Sequence, residues 1–257
     1  MKFYMYRTAA ITKTIILDNT LKFTNPENFN DPFDFFPKVT ERGLLKFIDR
    51  IENENGNGQK KFKRNHLARK KHIAYLRSKE FRNEYLKNLS IACFSRSPYI
   101  LPMWAHYANS HKGCVLEFSY VNSDEIKDKY LNTPLENHFD ILIPHDVHYD
   151  NERPTLFDEH GNTNKLINAF DVCLRKAKIW EYEQEVRVIQ MQPEGIYPFN
   201  PEQLTGVYFG IKIDPSDKKE ISNLIELKNM DRKIKIKKHD MEIAFDDFEI
   251  SSVTFRF

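Results

Sequence analysis

Apolar and polar positions along the chain follow two periods, one typical of strands and one typical of helices. Residues 2–7 are apolar or aromatic at most positions, which predicts a strand covered on both faces and closed by Arg7. Similar short apolar runs predict strands at residues 21–24, 90–95, 114–120, 141–149, 186–191, 206–213, 233–238 and 251–257. Helices are predicted at residues 8–18, 41–52, 60–89, 103–109, 164–179 and 215–227. This order predicts an α+β fold around a mixed, mainly antiparallel sheet.

The predicted helices between residues 41 and 89 separate the first strands from the strand at 90–95. Apolar residues recur on one face of the first of these helices, and a polar break follows at residues 53–58. We interpret residues 1–257 as one α+β domain with a helical insertion at 41–89. The insertion could recognise a target, or it could cover the core.

Composition narrows the class of protein. Of the 257 residues 40% are hydrophobic and 30% are charged, which is typical of a globular chain. We see no apolar run of the length that a membrane span needs, and the first residues lack the features of a signal peptide. Cys93, Cys114 and Cys173 are odd in number and widely spaced, which indicates reduced thiols. We therefore expect a cytoplasmic protein with no membrane partner.

Positive charge is concentrated in residues 60–87, although the net charge of the whole chain is only +2. This segment contains eleven Lys or Arg against two Glu. Such a run is either a solvated helix face or a surface for a polyanion, so a nucleic-acid or protein acceptor is a candidate partner.

Several common catalytic motifs are absent from the sequence. Its eight glycines form neither G-x-G-x-x-G nor G-x-x-x-x-G-K-[ST], and no G-x-S-x-G is present. The nine histidines show no convincing metal spacing, His145-x-x-His148 being the nearest approach. We predict no metal ligands, and any bound phosphate would need Arg or Lys side chains or helix N-termini.

Residues that could line a ligand-binding cleft are concentrated in two segments. Ser95 ends a predicted buried strand, where a serine often serves only as a cap or turn residue. In residues 103–113, Trp104 favours a core position and Tyr107 could share it. His106 and His111 are either cleft groups or structural histidines.

Three carboxylates alternate before the strand at 186–191. If the chain is extended there, Glu181, Glu183 and Glu185 share one face with Arg187. Neighbouring carboxylates repel, which raises the pKa of at least one of them unless a cation lies between them. The segment is therefore a functional site, or a solvated strand entrance in which Glu185 pairs with Arg187.

Motifs spread over most of the chain resemble an uncharacterised bacterial domain family, sometimes found among abortive-infection and phage-defence genes. The resemblance rests on FNDPF at residues 29–33, on CFS at 93–95 followed by MWxHYAxxHxG at 103–113, on WxxExExR at 180–187 and on FG at 209–210. It carries no established reaction.

A more distant resemblance links the chain to mono-ADP-ribosyltransferases. Tyr6-Arg7, Phe94-Ser95 and Glu183-x-Glu185 follow the order of the arginine, serine and glutamate pattern of that superfamily, although Arg96 stands where it often has threonine.

The transferase resemblance implies an ADP-ribosyltransferase-like sheet and NAD as substrate. Arg7 would hold the phosphates or a ribose, and Ser95 would orient the ribose and the catalytic carboxylate. Glu185 would stabilise the oxocarbenium-like centre that forms when the bond to nicotinamide breaks. Glu183 would orient or deprotonate the acceptor. The set expected to contact NAD is Tyr6, Arg7, Asn30, Asp31, Ser95, Trp104, His106, Tyr107 and His111. Asn30 and Asp31 could instead only form a turn.

Three functions remain open from the sequence. The leading hypothesis is an NAD-consuming enzyme, a transferase or glycohydrolase that acts as a toxin or defence effector. The second is a non-catalytic module that senses a nucleotide or a phage component. The third is a metal-dependent nuclease that uses Glu181, Glu183 and Glu185.

Overall fold

A computed structural model of the chain describes residues 1–54, 66–120, 140–162, 172–244 and 246–254. Its strands are β1 (Lys2–Arg7), β2 (Thr20–Phe23), β3 (Ser90–Ser95), β4 (Cys114–Ser119), β5 (His145–Asp146), β6 (His148–Asp150), β7 (Arg175–Ala177), β8 (Glu185–Gln190), β9 (Gly195–Pro198), β10 (Leu204–Phe209), β11 (Lys237–Ile243) and β12 (Ile250–Thr254). Its α-helices are α1 (Ala9–Asp18), α2 (Glu41–Glu54), α3 (His66–Leu76), α4 (Lys79–Leu86), α5 (Leu101–Tyr107) and α6 (Pro215–Asn229). Within the described ranges, no helix has the length and apolarity that a membrane span requires.

An eight-stranded sheet forms the centre, in the order β12-β11-β10-β4-β1-β3-β8-β5. Its neighbouring strands run antiparallel except β10 and β11, which are parallel. Two small sheets, β2 with β9 and β6 with β7, lie beside it. The predicted α+β class with a mixed, mainly antiparallel sheet is confirmed.

The two faces of the sheet are covered by different elements. Helices α1 and α6 share the largest apolar cluster with β1, β3, β4, β8 and β10 on one face. On the other face, α5 packs Met103 and Trp104 with Tyr4 and Tyr6, and a separate cluster around Phe35 adjoins β3 and β8. Helices α2 and α3 contribute to a further small cluster of their own.

Local signals explain where the two helices of the first face begin. The Thr8 hydroxyl accepts a hydrogen bond from the Ile11 amide, and the Asp214 carboxylate accepts one from the Ser216 amide. These contacts satisfy amides that have no partner within the helix. The predicted helices at 8–18 and 215–227 and the predicted strands at 2–7, 90–95, 114–120 and 186–191 are confirmed, with small shifts of their ends.

Other elements differ from the prediction. The prediction of a helix at 164–179 is wrong for residues 175–179. There, Arg175–Ala177 is a strand that pairs with β6, and a 3-10 helix follows at Lys178–Glu183. The strand expected at 141–149 is broken into β5 and β6, and the strand expected at 233–238 begins only at Lys237. Strand β9 was not predicted. These segments form their hydrogen bonds with distant partners, which local periodicity does not encode.

A gap opens in the sheet between β1 and β3. These strands share a single pair of Cα partners, Tyr4 with Ser95, whereas β1 and β4 are paired at six positions from Lys2 to Arg7. Beyond Tyr4 the two strands therefore diverge, and the end of β1 that carries Arg7 faces an opening instead of a neighbouring strand.

Gly113 fits against the end of β1. A Cβ atom at this position would lie 2.2 Å from the Arg7 carbonyl oxygen and 3.0 Å from that of Ala108. Both contacts are with backbone atoms, which cannot move aside as a flexible side chain does. Glycine at this position therefore allows Arg7 to lie where it does.

We predict that Gly113→Ala lowers the free energy of unfolding by about 1–3 kcal/mol, because the added methyl group displaces the end of β1. Chemical denaturation followed by circular dichroism measures the effect. Gly195→Ala is the matched control, since its Cβ would meet only the Tyr197 side chain, at 3.1 Å. A Gly113→Ala variant as stable as the wild type would contradict this account.

Candidate functional site

A cavity of about 250 Å³ occupies the opening between β1 and β3. Tyr6 and Arg7 from β1 form one wall, and Cys93 and Phe94 from β3 form another. The lining also includes Tyr107 at the end of α5, Lys176 of β7, Glu183 before β8 and Glu185 within it. Residues from all three segments that the sequence singled out, around Arg7, Ser95 to His111 and Glu181 to Arg187, therefore line one cavity.

A chain of buried charges lies behind the carboxylate side of the cavity. The Lys176 ammonium donates to Glu183 Oε2 at 2.6 Å and to Glu185 Oε2 at 2.8 Å. Arg187 Nε donates to Glu185 Oε1 at 2.8 Å, and its two Nη atoms donate to the Asp34 carboxylate at 3.0 and 2.6 Å. All five side chains are at least nine-tenths buried. We call them the charge network.

Aromatic rings enclose the centre of the charge network. The Arg187 guanidinium lies 4.7 Å from the ring centroid of Phe35 and 5.7 Å from that of Phe29, and it also donates to the Cys173 carbonyl at 2.7 Å. Arg187 is thus fully hydrogen-bonded at Nη1 and Nη2 and cannot rotate away. It therefore fixes the Glu185 carboxylate in position.

The charge network controls the protonation of Glu185. Burial alone would raise the pKa of this carboxyl, but the charges of Arg187 and Lys176 outweigh burial and lower its pKa from 4.5 to about 2. Glu185 is consequently ionised at neutral pH. Conversely, burial raises the pKa of the Cys93 thiol, and the nearby Glu185 charge raises it further, so this thiol is protonated.

Tyr107 connects α5 to the other carboxylate. Its hydroxyl donates to Glu183 Oε1 at 2.8 Å, and the Asn30 amide lies 3.5 Å from the same hydroxyl. Burial raises the pKa of Tyr107, and the charge of Glu183 adds to this effect, so the phenol keeps its proton. Both Tyr107 and Asn30 line the cavity.

Ser95 lies beneath the cavity and not on its surface. It is fully buried, and its hydroxyl donates to the Glu183 carbonyl oxygen at 2.7 Å. Its Cα is the partner of Glu185 across β3 and β8. The contacts of Ser95 therefore position the backbone that carries the two glutamates.

Arg7, at the end of β1, is one of the cations that line the cavity. Its guanidinium donates to the Tyr6 carbonyl at 2.9 Å, and among the described residues no carboxylate forms an ion pair with it. Burial lowers the pKa of Arg7 relative to an exposed arginine, although arginine remains charged at neutral pH. A partly desolvated guanidinium of this kind favours an anionic ligand.

Besides Ser95, four further residues of the expected NAD-contacting set lie outside the cavity lining. Trp104 is buried in the core and donates to the Pro98 carbonyl at 2.7 Å. His106 is exposed, and the His111 ring lies parallel to Trp104 with a centroid distance of 6.3 Å. The Asp31 carboxylate is buried and accepts a hydrogen bond from the Phe33 amide, as a turn-forming residue does.

The expected row of three carboxylates is wrong. Residues Lys178–Glu183 form a 3-10 helix, and Gln184 adopts a left-handed conformation with φ of 46° before β8 begins. Glu181 therefore points to solvent, whereas Glu183 and Glu185 are buried on either side of Lys176. The extended geometry that we assumed holds only from Glu185 onwards.

Lys176 is the main site residue that the sequence reasoning missed. The sequence predicts a helix at this position, although the run Arg175-Lys176-Ala177-Lys178 directly precedes the acidic segment at 181–185. That succession of basic and acidic residues was the available signal. Tyr149, whose hydroxyl accepts a hydrogen bond from the Glu185 amide at 2.6 Å, gave no such signal.

No group of three or more His, Cys, Asp or Glu side chains is placed to hold a metal ion in the part of the chain that the structure describes. The Lys176 ammonium contacts both Glu183 and Glu185, so the two carboxylates share this cation.

We predict that Lys176→Met destabilises the fold by about 3–5 kcal/mol near neutral pH, because it leaves two buried carboxylates without their shared cation. The loss should shrink as the pH falls, since one carboxyl then takes up a proton. In the wild type, ionised Glu185 contributes fully to the free energy of unfolding above pH 4.5. This contribution is lost as the pH falls from 4.5 towards about 2.

Thermal unfolding at a series of pH values checks this prediction. Lys178→Met, which removes an exposed lysine two positions away, is the control and should leave the profile unchanged. If the stability difference between Lys176→Met and the wild type does not vary with pH, the two carboxylates do not depend on Lys176 for their ionisation.

Part of the chain matches a known protein family. Residues 103–188, about a third of the chain, match the family described as "Protein of unknown function (DUF2971)". No curated protein and no solved structure matches the chain. The matched region runs from α5 to β8 and includes Tyr107, Lys176, Glu183 and Glu185, so the sequence of the carboxylate side of the cavity is similar to a family whose function is not known.

Proposed function

We propose that this chain is an NAD-consuming enzyme, an ADP-ribosyltransferase or NAD glycohydrolase, with the cavity between β1 and β3 as its active site. The observation that carries the proposal is the pairing of unlike groups in one cavity. Arg7, without a carboxylate partner among the described residues, lines it together with the carboxylates Glu183 and Glu185. An anionic group of a ligand would complement Arg7, and positive charge that develops elsewhere in the ligand would be stabilised by Glu185, whose carboxylate stays ionised beside Lys176.

NAD is such a ligand. Its pyrophosphate would bind the Arg7 guanidinium, whose fork of donors suits phosphate oxygens. Its cationic nicotinamide and the attached ribose would lie towards Glu183 and Glu185. A cavity of about 250 Å³ is smaller than the sites that enclose whole drug-sized ligands. We therefore expect it to enclose the nicotinamide half of NAD, with the adenosine half outside.

The ionisation of Glu185 fits the cleavage of the bond between nicotinamide and ribose. When the bond between ribose C1′ and the nicotinamide nitrogen breaks, the electron pair goes to the cationic ring, which leaves as neutral nicotinamide. The leaving group needs no proton, unlike that of an ordinary glycosidase. A carboxylate with a pKa of about 2 would be a poor acid, but it would stabilise the positive charge that develops on the ribose.

Glu183 has a different place in the proposed reaction. A nucleophile, either water or an acceptor group, adds to C1′ and must lose a proton. Glu183 would accept a hydrogen bond from this nucleophile and then the proton, with Tyr107 and Lys176 holding its carboxylate in place. The same step gives hydrolysis with water and transfer with an acceptor.

The two other hypotheses receive less support from the site. A nuclease would need its carboxylates free for a divalent metal, but the Lys176 ammonium contacts both Glu183 and Glu185, and Glu181 is exposed. A non-catalytic sensor could use the same cavity. It would bind NAD saturably and yield no product, which the experiment below distinguishes.

The acceptor and the biological role are part of the same proposal. The motif resemblance supports a toxin or anti-phage defence effector. Within the basic segment at 60–87, residues 60–65 lie outside the described residues, whereas Lys70, Lys71, Lys79 and Lys87 are exposed on or beside α3 and α4. If this surface holds a nucleic-acid acceptor, binding should weaken steeply with added salt.

We predict that the wild type releases nicotinamide from NAD and that Glu185→Gln slows this release about 10²–10³-fold, because the carboxylate charge is lost at the developing cation. Chromatography of the reaction mixture measures free nicotinamide. Glu181→Gln is the matched control and should keep wild-type activity, since Glu181 points to solvent. Circular dichroism verifies that both variants are folded.

Undiminished turnover by Glu185→Gln would remove Glu185 from the mechanism. Saturable NAD binding by the wild type with no nicotinamide release would favour the sensor instead.

Arg7→Gln should weaken NAD binding at least about tenfold, because a charge-assisted contact with the phosphates is lost. Isothermal titration in the Glu185→Gln background separates binding from turnover. Arg96→Gln is the control, since Arg96 lies at the neighbouring strand end and pairs with Asp146 at 2.6 Å. Equal affinities for the two variants would contradict the role of Arg7.

A further inference from the structure

The loop between β11 and β12 presents an aromatic ring among acidic side chains. Phe248 is fully exposed, and Asp246, Asp247 and Glu249 beside it are exposed as well. The loop is anchored at its base by the Ile243–Ile250 pair and by a hydrogen bond from the Ala244 amide to the Glu249 carbonyl. We call residues 246–249 the acidic loop. Phe248 has the greatest exposed fraction of the large apolar side chains in the described residues.

A second cavity lies on another part of the molecule, beside α3 and α4. Its volume is about 220 Å³, and its walls are largely apolar, with Phe35, Val39, Leu76 and Phe81 among them. We call it the α3–α4 cavity. It does not share the lining of the cavity between β1 and β3.

Positive charge surrounds the α3–α4 cavity. Lys38, Arg77 and Arg153 line it, and none of the described residues in its lining is acidic. The Arg153 guanidinium lies 5.2 Å from the ring centroid of Phe36. Lys38 lies 3.8 Å from Glu152, but both are exposed, and such a pair contributes little in water.

The acidic loop and the α3–α4 cavity are complementary in size and charge. A cavity of roughly 150 Å³ is sufficient for a benzene ring. The α3–α4 cavity, at about 220 Å³, can therefore receive the Phe248 ring. Once the ring is inserted, the three acidic neighbours would face the three cations at the rim, which favours this orientation.

The two features cannot meet within one molecule. The acidic loop joins the outermost strands at one edge of the sheet, whereas Phe35 of the α3–α4 cavity shares an apolar cluster with β3 and β8. Five strand spacings separate β11 from β8, which is roughly 24 Å. The anchored acidic loop does not span this distance.

We propose that the acidic loop of one copy inserts Phe248 into the α3–α4 cavity of a second copy. Because the loop and the cavity are different surfaces, this contact is heterologous, and each added copy presents a free loop at one end and a free cavity at the other. The chain therefore assembles head to tail, into a ring if the rotation closes and into a filament if it does not. This inference does not depend on the proposed NAD chemistry.

The contact is small, so the association is weak and concentration-dependent. Sedimentation velocity of the 257-residue chain over micromolar to millimolar concentrations is the first test. The expected result is a weight-average mass that rises with concentration and falls with added salt, since salt screens the rim charges. A chain that is monomeric throughout this range overturns the proposal.

Three variants make the test specific. Phe248→Ala removes the anchor, and the double variant Arg77→Glu with Arg153→Glu reverses charge at the rim of the cavity. Each is expected to be monomeric alone. Ile196→Ala, which truncates another exposed apolar side chain, on β9, is the control and should associate like the wild type. Association that persists in Phe248→Ala overturns the proposal.

Mixing the first two variants gives the decisive result. Phe248→Ala retains an intact cavity, and the double arginine variant retains an intact acidic loop, so an equimolar mixture should form heterodimers and nothing larger. Circular dichroism establishes that both are folded. If the mixture of folded variants stays monomeric, the loop and the cavity are not partners.

Discussion

The candidate site depends on the ion pairs that the buried Arg187 guanidinium forms. It binds Asp34 on one side and Glu185 on the other, and Lys176 continues the chain of charges to Glu183. A buried ion pair is weak support for stability in itself, because desolvation offsets the attraction, but removal of one member leaves an uncompensated charge. The charge network therefore determines where its members lie, more than how stable the fold is.

The charge network has this effect because its members come from separate parts of the chain. Asp34 precedes α2, Lys176 lies in β7, and Glu185 and Arg187 lie in β8. Tyr107 adds α5 through its bond to Glu183, and Ser95 adds β3 through the Glu183 carbonyl. The segments that surround the cavity are thereby held in one arrangement, in which the two carboxylates and Arg7 line the same cavity.

Much of this could be predicted from the sequence, because the strands that carry the site have strong local patterns. The strand at 2–7 ending in Arg7, the strand at 90–95 ending in Ser95 and the strand beginning near Glu185 were all predicted. The position of Lys176 was not predicted. Strand β7 is held by its pairing with β6 and by the ion pair of Arg175 with Asp150, and both are contacts with a distant part of the chain. Likewise, the row of three carboxylates assumed an extended chain where Gln184 turns through a left-handed conformation. Periodicity reports which face of an element is buried, and does not report such a turn or a tertiary ion pair.

We propose that Arg7 and the two glutamates contact different parts of one NAD molecule. A crystal structure of the Glu185→Gln variant with NAD tests it most directly, because slowed turnover preserves the bound substrate. The account predicts pyrophosphate oxygens within hydrogen-bond distance of the Arg7 guanidinium and the nicotinamide ribose beside Glu183 and position 185. NAD bound elsewhere, or a cavity between β1 and β3 that stays empty at saturating NAD, would contradict it.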